Sequence, residues 1–130
     1  EQLNKTKIKF IINDPNLNVV KDIKLNNFVL RYQVINGLVS KELRNIVDQG
    51  KKEIKEGVLI VFTIFENKVG IAVGVTEKLT NKYDAVKLAK LGSEIIGGKG
   101  GGGRKDFAQA GGEDQNKIDD AFNKILKEIN

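Results

Sequence analysis

The 130-residue sequence predicts a single α/β domain, a mixed β-sheet with packed helices and one Gly-rich loop. Three observations carry this. Val58–Phe65 (VLIVFTIF) is almost continuously apolar and rich in β-branched and aromatic residues, so it reads as a central strand covered on both faces. Apolar residues recur at helical spacing before that strand, after residue 84 and after residue 114. Between the last two of these helices lies Gly97–Gly112, GGKGGGGRKDFAQAGG, which holds eight of the fourteen glycines of the chain.

The elements follow in order. Ile8, Phe10 and Ile12 share one face of an N-terminal strand, and Asn13-Asp14-Pro15-Asn16 is a turn around the single proline. Val19 and Val20 belong to a short strand or pack on one. From Phe28 to Ile35, alternation of Phe28, Leu30, Tyr32 and Val34 with a mixed second set predicts a strand with one partly buried face. Asn36-Gly37 is a turn, and Ser40 is the expected cap of a helix with Leu43, Ile46, Val47, Gly50 and Ile54 on its buried stripe. Lys41, Arg44, Lys51, Lys52 and Lys55 fall outside that stripe and read as a solvated face that could extend a basic track. Gly57 is the expected helix stop.

Val58–Phe65 and Val69–Val75 are expected to form an antiparallel hairpin across a short turn at Glu66-Asn67-Lys68. Gly70 and Gly74 in its second strand signal close packing or a bulge. Asp84 caps the next helix, whose stripe is Ala85, Leu88, Ala89, Gly92, Ile95 and Ile96, and Gly97 ends it. The last helix starts near Asp114 and buries Ile118, Ala121, Phe122, Ile125 and Ile129. No internal repeat or long linker divides the chain.

Composition narrows the chemistry. Nineteen Lys and three Arg against seventeen acids give a net charge of +5, compatible with a polyanionic partner. Cysteine and histidine are both absent, which excludes disulfides, thiolate metal sites and Ser-His or Cys-His nucleophile pairs. No clustered D-x-D pattern suggests an all-oxygen metal site. No apolar run reaches membrane-spanning length. Methionine is absent as well, so the chain reads as a piece of a larger protein or a processed product. No catalytic residue and no metal ligand is assigned.

The Gly-rich run is the chemical signal. Successive exposed N–H groups form an anion-binding concavity, and Lys99, Arg104 and Lys105 add charge beside it. Gly98 to Gly103 satisfies G-x-G-x-x-G, but a helix rather than a strand precedes it, which argues against a dinucleotide fold. A P-loop fails twice, at Ser93 and at Gly100. A loop that clamps the phosphates of a larger nucleic acid remains, with a flexible linker as the bland alternative.

GGKGGGGRKDFAQAGG resembles the signature near the C-terminus of alanyl-tRNA synthetases, commonly GGKGGGRxDxAQAGG, with one glycine more between Lys99 and Arg104. The order of helix, hairpin, helix, Gly-rich segment and final helix is similar too. The resemblance runs from Asn26 to the end, so 26–130 is assigned to a C-terminal DHH-associated tRNA-binding domain. Residues 1–25 are assigned to the same domain as an N-terminal strand and turn segment.

This resemblance implies a non-catalytic module that holds tRNA(Ala) at its elbow and links aminoacylation to editing. It implies as partners the aminoacylation and editing domains of a cytoplasmic parent chain, with ATP and magnesium in one and zinc in the other. It implies no cofactor in this fragment and no membrane partner. A rival resemblance is the substrate domain of DHH phosphoesterases, whose GGGR-like loop corresponds to Gly101–Arg104. A free-standing alanyl-tRNA editing protein could carry the same module. A third reading is a structural or homodimerisation module that uses the last helix. On the nucleic-acid reading Gly100, Gly101, Gly102 and Gly103 supply N–H groups and access, and Lys99, Arg104 and Lys105 meet phosphates. Gln109 bonds ribose, a base edge or the loop itself. Asp106 braces the loop with its carboxylate, and Phe107 anchors it to the core, with a base-stacking platform as the alternative.

Overall fold

A computed structural model describes residues 18–25, 28–38, 40–98 and 100–129. The expected strand at Ile8–Ile12, the turn at 13–16 and the side chain of the expected cap Ser40 lie outside the described residues. The strands are β1 (Asn18–Lys24), β2 (Val29–Asn36), β3 (Gly57–Phe65), β4 (Lys68–Val75), β5 (Gly100–Gly103) and β6 (Phe107–Gly112). The helices are α1 (Leu43–Ile54), α2 (Ala85–Ile95) and α3 (Ile118–Ile129). The strands form one six-stranded sheet in the order β1-β2-β3-β4-β6-β5. Among the described strands only β2 and β3 pair in parallel, and α1 makes the crossover between them.

Two apolar layers flank the sheet. On one face α1 sets Leu43 and Val47 against Ile35, Leu59, Val61 and Ala72. On the other, α2 and α3 cover Leu30, Val58, Ile60, Phe62, Ile71 and Val73. Val58 through Phe62 of β3 are therefore fully buried, as a strand covered on both sides must be. Tyr32 stacks on Phe122 of α3 at 4.0 Å between ring centroids, and its hydroxyl donates to Asp119 Oδ1 at 2.8 Å. The stripe of α3 (Ile118, Ala121, Phe122, Ile125, Ile129) is buried in the chain's own core. It is not the free contact face that a dimerisation role would use.

Local signals explain the boundaries. Asp84 accepts the Val86 N–H at 3.0 Å and caps α2. Gly97, with φ of 85°, ends α2, and the bond from Gly98 N–H to the Ser93 carbonyl at 2.7 Å completes a Schellman closure. The β3–β4 turn has only two residues, Glu66 and Asn67, with φ of 50° and 65°, the primed geometry that matches strand twist. A 3-10 turn Gln115–Lys117, capped by Asp114, precedes α3.

Two expectations need correction, on Gly57 and the Gly-rich run, and one, on Gly74, is narrowed to the first of its two alternatives. Gly57 is not the helix stop: Lys55 takes the positive φ of 66°, and Gly57 opens β3, where a Cβ would sit 1.9 Å from the Val29 carbonyl oxygen. Gly74 marks close packing and no bulge, since its Cβ would meet Val47 of α1 at 2.3 Å and the β3–β4 register is continuous. The Gly-rich run is not an open loop. Gly100–Gly103 form the edge strand β5, paired residue for residue with Ala108–Gly111.

Candidate nucleic-acid interface

The β5–β6 hairpin turns at Arg104, Lys105 and Asp106, and its backbone is fixed from three directions. Arg104 donates its N–H to the Phe107 carbonyl at 2.6 Å. The Lys105 carbonyl accepts the Ala85 N–H at 3.0 Å, so the first turn of α2 is bonded to this hairpin. The Asp106 carbonyl accepts the Val75 N–H at 2.9 Å and Lys51 Nζ at 2.7 Å. The brace expected of the Asp106 carboxylate is thus made by its backbone carbonyl. With the carbonyls held inward, the Arg104 and Lys105 side chains are left exposed.

Lys51 reaches the turn from α1. Arg44, two helical turns earlier, sets its guanidinium carbon 5.3 Å from the centroid of the Phe107 ring. Phe107 is half-buried against the α1-side core, so it anchors the hairpin as expected. Lys51, Arg104 and Lys105 line an open groove together with Val75 and Thr80, and its acids are Glu77 and Asp106. Among the described residues, salt bridges are made by Arg31 to Asp22 and Glu53, and none by Arg44, Lys51, Arg104 or Lys105. The Arg31 guanidinium is held by Asp22, which with Glu53 outweighs the opposing effect of burial and pushes its pKa up. It is locked into the β1–β2–α1 junction.

A larger concavity, about 620 Å³, lies at the other end of β6. Among the described residues it carries Lys68 against Glu66 and Glu113, with no cationic excess for a phosphate backbone. The turn groove, with three cations against two acids among its described lining, is the better candidate surface for a polyanion.

The expected site residues are only partly brought together. Arg104 and Lys105 sit side by side on the turn. Gln109 lies within β6, directly across from Gly102 and on the same face as Phe107. Lys99 falls outside the described residues. The glycines do not form a single nest of free N–H groups. A Cβ at Gly101 would lie 2.0 Å from the Gln109 carbonyl oxygen, and one at Gly103 would lie 2.3 Å from that of Phe107. These two glycines let β5 approach β6. At Gly102 nothing lies within 4 Å, so there the missing side chain leaves open space. The reach of Lys51 and Arg44 was visible in sequence only as two cations seven apart beside the buried stripe of α1.

The relatives agree in outline. The DHHA1 domain model matches residues 26–130. An alanine–tRNA ligase of Hyphomonas neptunium is 44% identical over 101 residues, 78% of this chain and 12% of that protein. One of Parvibaculum lavamentivorans is 47% identical over 92 residues, 70% of this chain and 10% of that protein. The chain thus spans about a tenth of the length of these relatives. The crystal structure of the C-Ala domain from Aquifex aeolicus alanyl-tRNA synthetase superposes with a TM-score of 0.75 at 32% identity, covering 84% of this chain and 96% of that one. A DHH-domain structure described as a member of a family of ribosomal proteins, at 17% identity and a TM-score of 0.60, covers 98% of this chain and 31% of that one and shares the fold alone. Signature, sheet order and likeness over nearly the whole of a solved C-Ala domain converge, and the chain belongs to the DHHA1-domain family, with the C-Ala domains of alanyl-tRNA synthetases.

Proposed function

We propose that this chain is the tRNA-holding C-terminal module of an alanine–tRNA ligase. It grips tRNA(Ala) at the elbow and links aminoacylation to editing, both carried out by other domains of a cytoplasmic parent. The observation that carries the reading is the braced β5–β6 turn. Its carbonyls are taken up by Ala85, Val75 and Lys51, while Arg104 and Lys105 project from it without carboxylate partners among the described residues. A turn held this way fixes the backbone from which the two cations reach, which lowers the ordering cost of meeting a phosphate backbone. Lys51 extends the track onto α1. ATP, magnesium and zinc serve the parent's other domains on this reading, and the module itself performs no chemistry.

The testing experiment is a titration of this chain with intact tRNA(Ala), with the same tRNA whose D-loop/T-loop corner is disrupted, and with short oligonucleotides. Tighter binding to the intact corner is the expected result. Equal binding to all three reduces the contact to non-specific electrostatics. Preference for a short oligonucleotide end favours the phosphoesterase-type substrate domain that the Gly101–Arg104 sequence also fits.

A further inference from the structure

We infer that Arg44 is a stacking seat for one unstacked nucleobase, on the face of the β5–β6 hairpin that is shared with α1. The inference rests on the RNA-binding reading above and names a contact within it. The two faces of the hairpin are unequal. On the α2 side, Ala108 is fully buried, Ser93 Oγ donates to the Gly111 carbonyl at 2.7 Å, and a Cβ at Gly112 would strike Ile96. A ligand cannot reach that side. On the α1 side the row runs Phe107, Gln109, Gly111, with Gly102 beside Gln109 and open space above it.

Arg44 stands over Phe107, the first residue of this row. Its guanidinium rests on Phe107, a ring packed into the core, while the rest of the side chain is exposed. Unstacked RNA bases are received on aromatic rings or guanidinium planes and read along their edges by hydrogen bonds. Arg44 supplies the plane.

Residue choice points the same way. The chain holds nineteen Lys and three Arg, so charge alone is ordinarily met by Lys. Arg31 is bound in ion pairs, and the other two arginines, Arg44 and Arg104, both stand at this hairpin. A planar head where a point charge would otherwise do marks a demand for stacking or bidentate bonding.

The test compares Arg44→Lys and Arg44→Ala with the unaltered chain on tRNA(Ala) and on inorganic polyphosphate, a polyanion without bases, at several salt concentrations. Far-UV circular dichroism and urea midpoints check that the variants fold. Stacking predicts that both variants bind tRNA roughly 5- to 100-fold more weakly. The Lys variant keeps the salt slope and the polyphosphate affinity of the unaltered chain. An Arg44→Lys chain that binds tRNA within about twofold of the unaltered one overturns the inference, because Arg44 is then only a charge. Arg104→Ala, measured alongside, separates two failures. If the unaltered chain holds tRNA no more tightly than polyphosphate, the RNA-binding reading itself is lost, and if Arg104→Ala also binds normally, the interface is not at this turn. If it binds weakly while Arg44→Lys binds normally, only the stacking seat is lost.

Discussion

Adjacent glycines of β5 should respond to the same substitution in opposite ways. Alanine at 101 places its Cβ 2.0 Å from the Gln109 carbonyl oxygen and 2.9 Å from the Cβ of Ala110. An ordinary cross-strand pair keeps its Cβ atoms about 4.5–5.5 Å apart, so the pairing has to open. Overpacking of this kind destabilises by about 1–3 kcal/mol. Alanine at 102 meets nothing within 4 Å, and Gly102 is not among the glycines with positive φ. There the added methyl mainly restricts the unfolded chain, which stabilises by about 0.4–1 kcal/mol. The two variants should therefore differ by about 1.5–4 kcal/mol in urea unfolding, resolvable with slopes of about 1–3 kcal/mol per molar. Equal stabilities, or a more stable Gly101→Ala, would refute the claim that β5 is a strand pressed against β6. The Gly102→Ala chain then serves a second purpose. If RNA lies on the open floor, this well-folded variant should bind tRNA(Ala) more weakly.

Three further outcomes are expected. Arg104→Ala should weaken tRNA binding and shallow the slope of log affinity against log salt by about one phosphate contact, while an unchanged slope removes Arg104 from the interface. Asp84→Ala removes the cap bond to Val86 and should lower stability by about 1 kcal/mol in thermal or urea unfolding; Asp84→Asn, which can still accept that N–H, should recover most of it. The Tyr32 phenol is pushed up, first by burial and then by its bond to Asp119. The folded chain therefore holds this proton at pH values where the unfolded chain has begun to lose it. The stability from this group is complete below about pH 10 and falls as pH rises above it. Urea midpoints between pH 9 and 12 should fall less steeply for Tyr32→Phe, and parallel profiles would exclude Tyr32 as the source.

Much of the fold was legible because its signals are local. An unbroken apolar run in β3, Asp84 before a helical stripe and Gly97 after one each specify their own neighbourhood. The strand β5 was not legible for a physical reason. Four glycines carry no alternation of side chains, and glycine is a poor strand former, so pairing is imposed by β6 rather than by β5 itself. Gly57 misled because a glycine after a helix resembles a C′ residue, whereas its actual constraint is the Val29 backbone, 28 positions earlier in the chain. Of the site, the turn cations Arg104 and Lys105 were readable from composition and spacing. Lys51 and Arg44 were not separable from the other cations of α1, because their roles depend on where that helix crosses the sheet.

The alternation of strand faces sorts the signature glycines into two physical classes. Gly101, Gly103 and Gly112 would direct a Cβ into β6 or Ile96 of α2, where there is no room, so their smallness is structural. Gly102 and Gly111 fall on the alternate face, shared with Phe107 and Gln109. A Cβ at Gly111 would have one neighbour, the Val69 carbonyl oxygen at 3.6 Å, and one at Gly102 would have none. Packing does not require glycine at these two positions. Their smallness leaves a backbone floor between Gln109 and the outer edge of the sheet, on the side where Arg44 and Lys51 arrive from α1. On the RNA-binding reading proposed above, fold stability and ligand access belong to alternate residues of the same short strands, and substitutions that alternate along them separate the two roles.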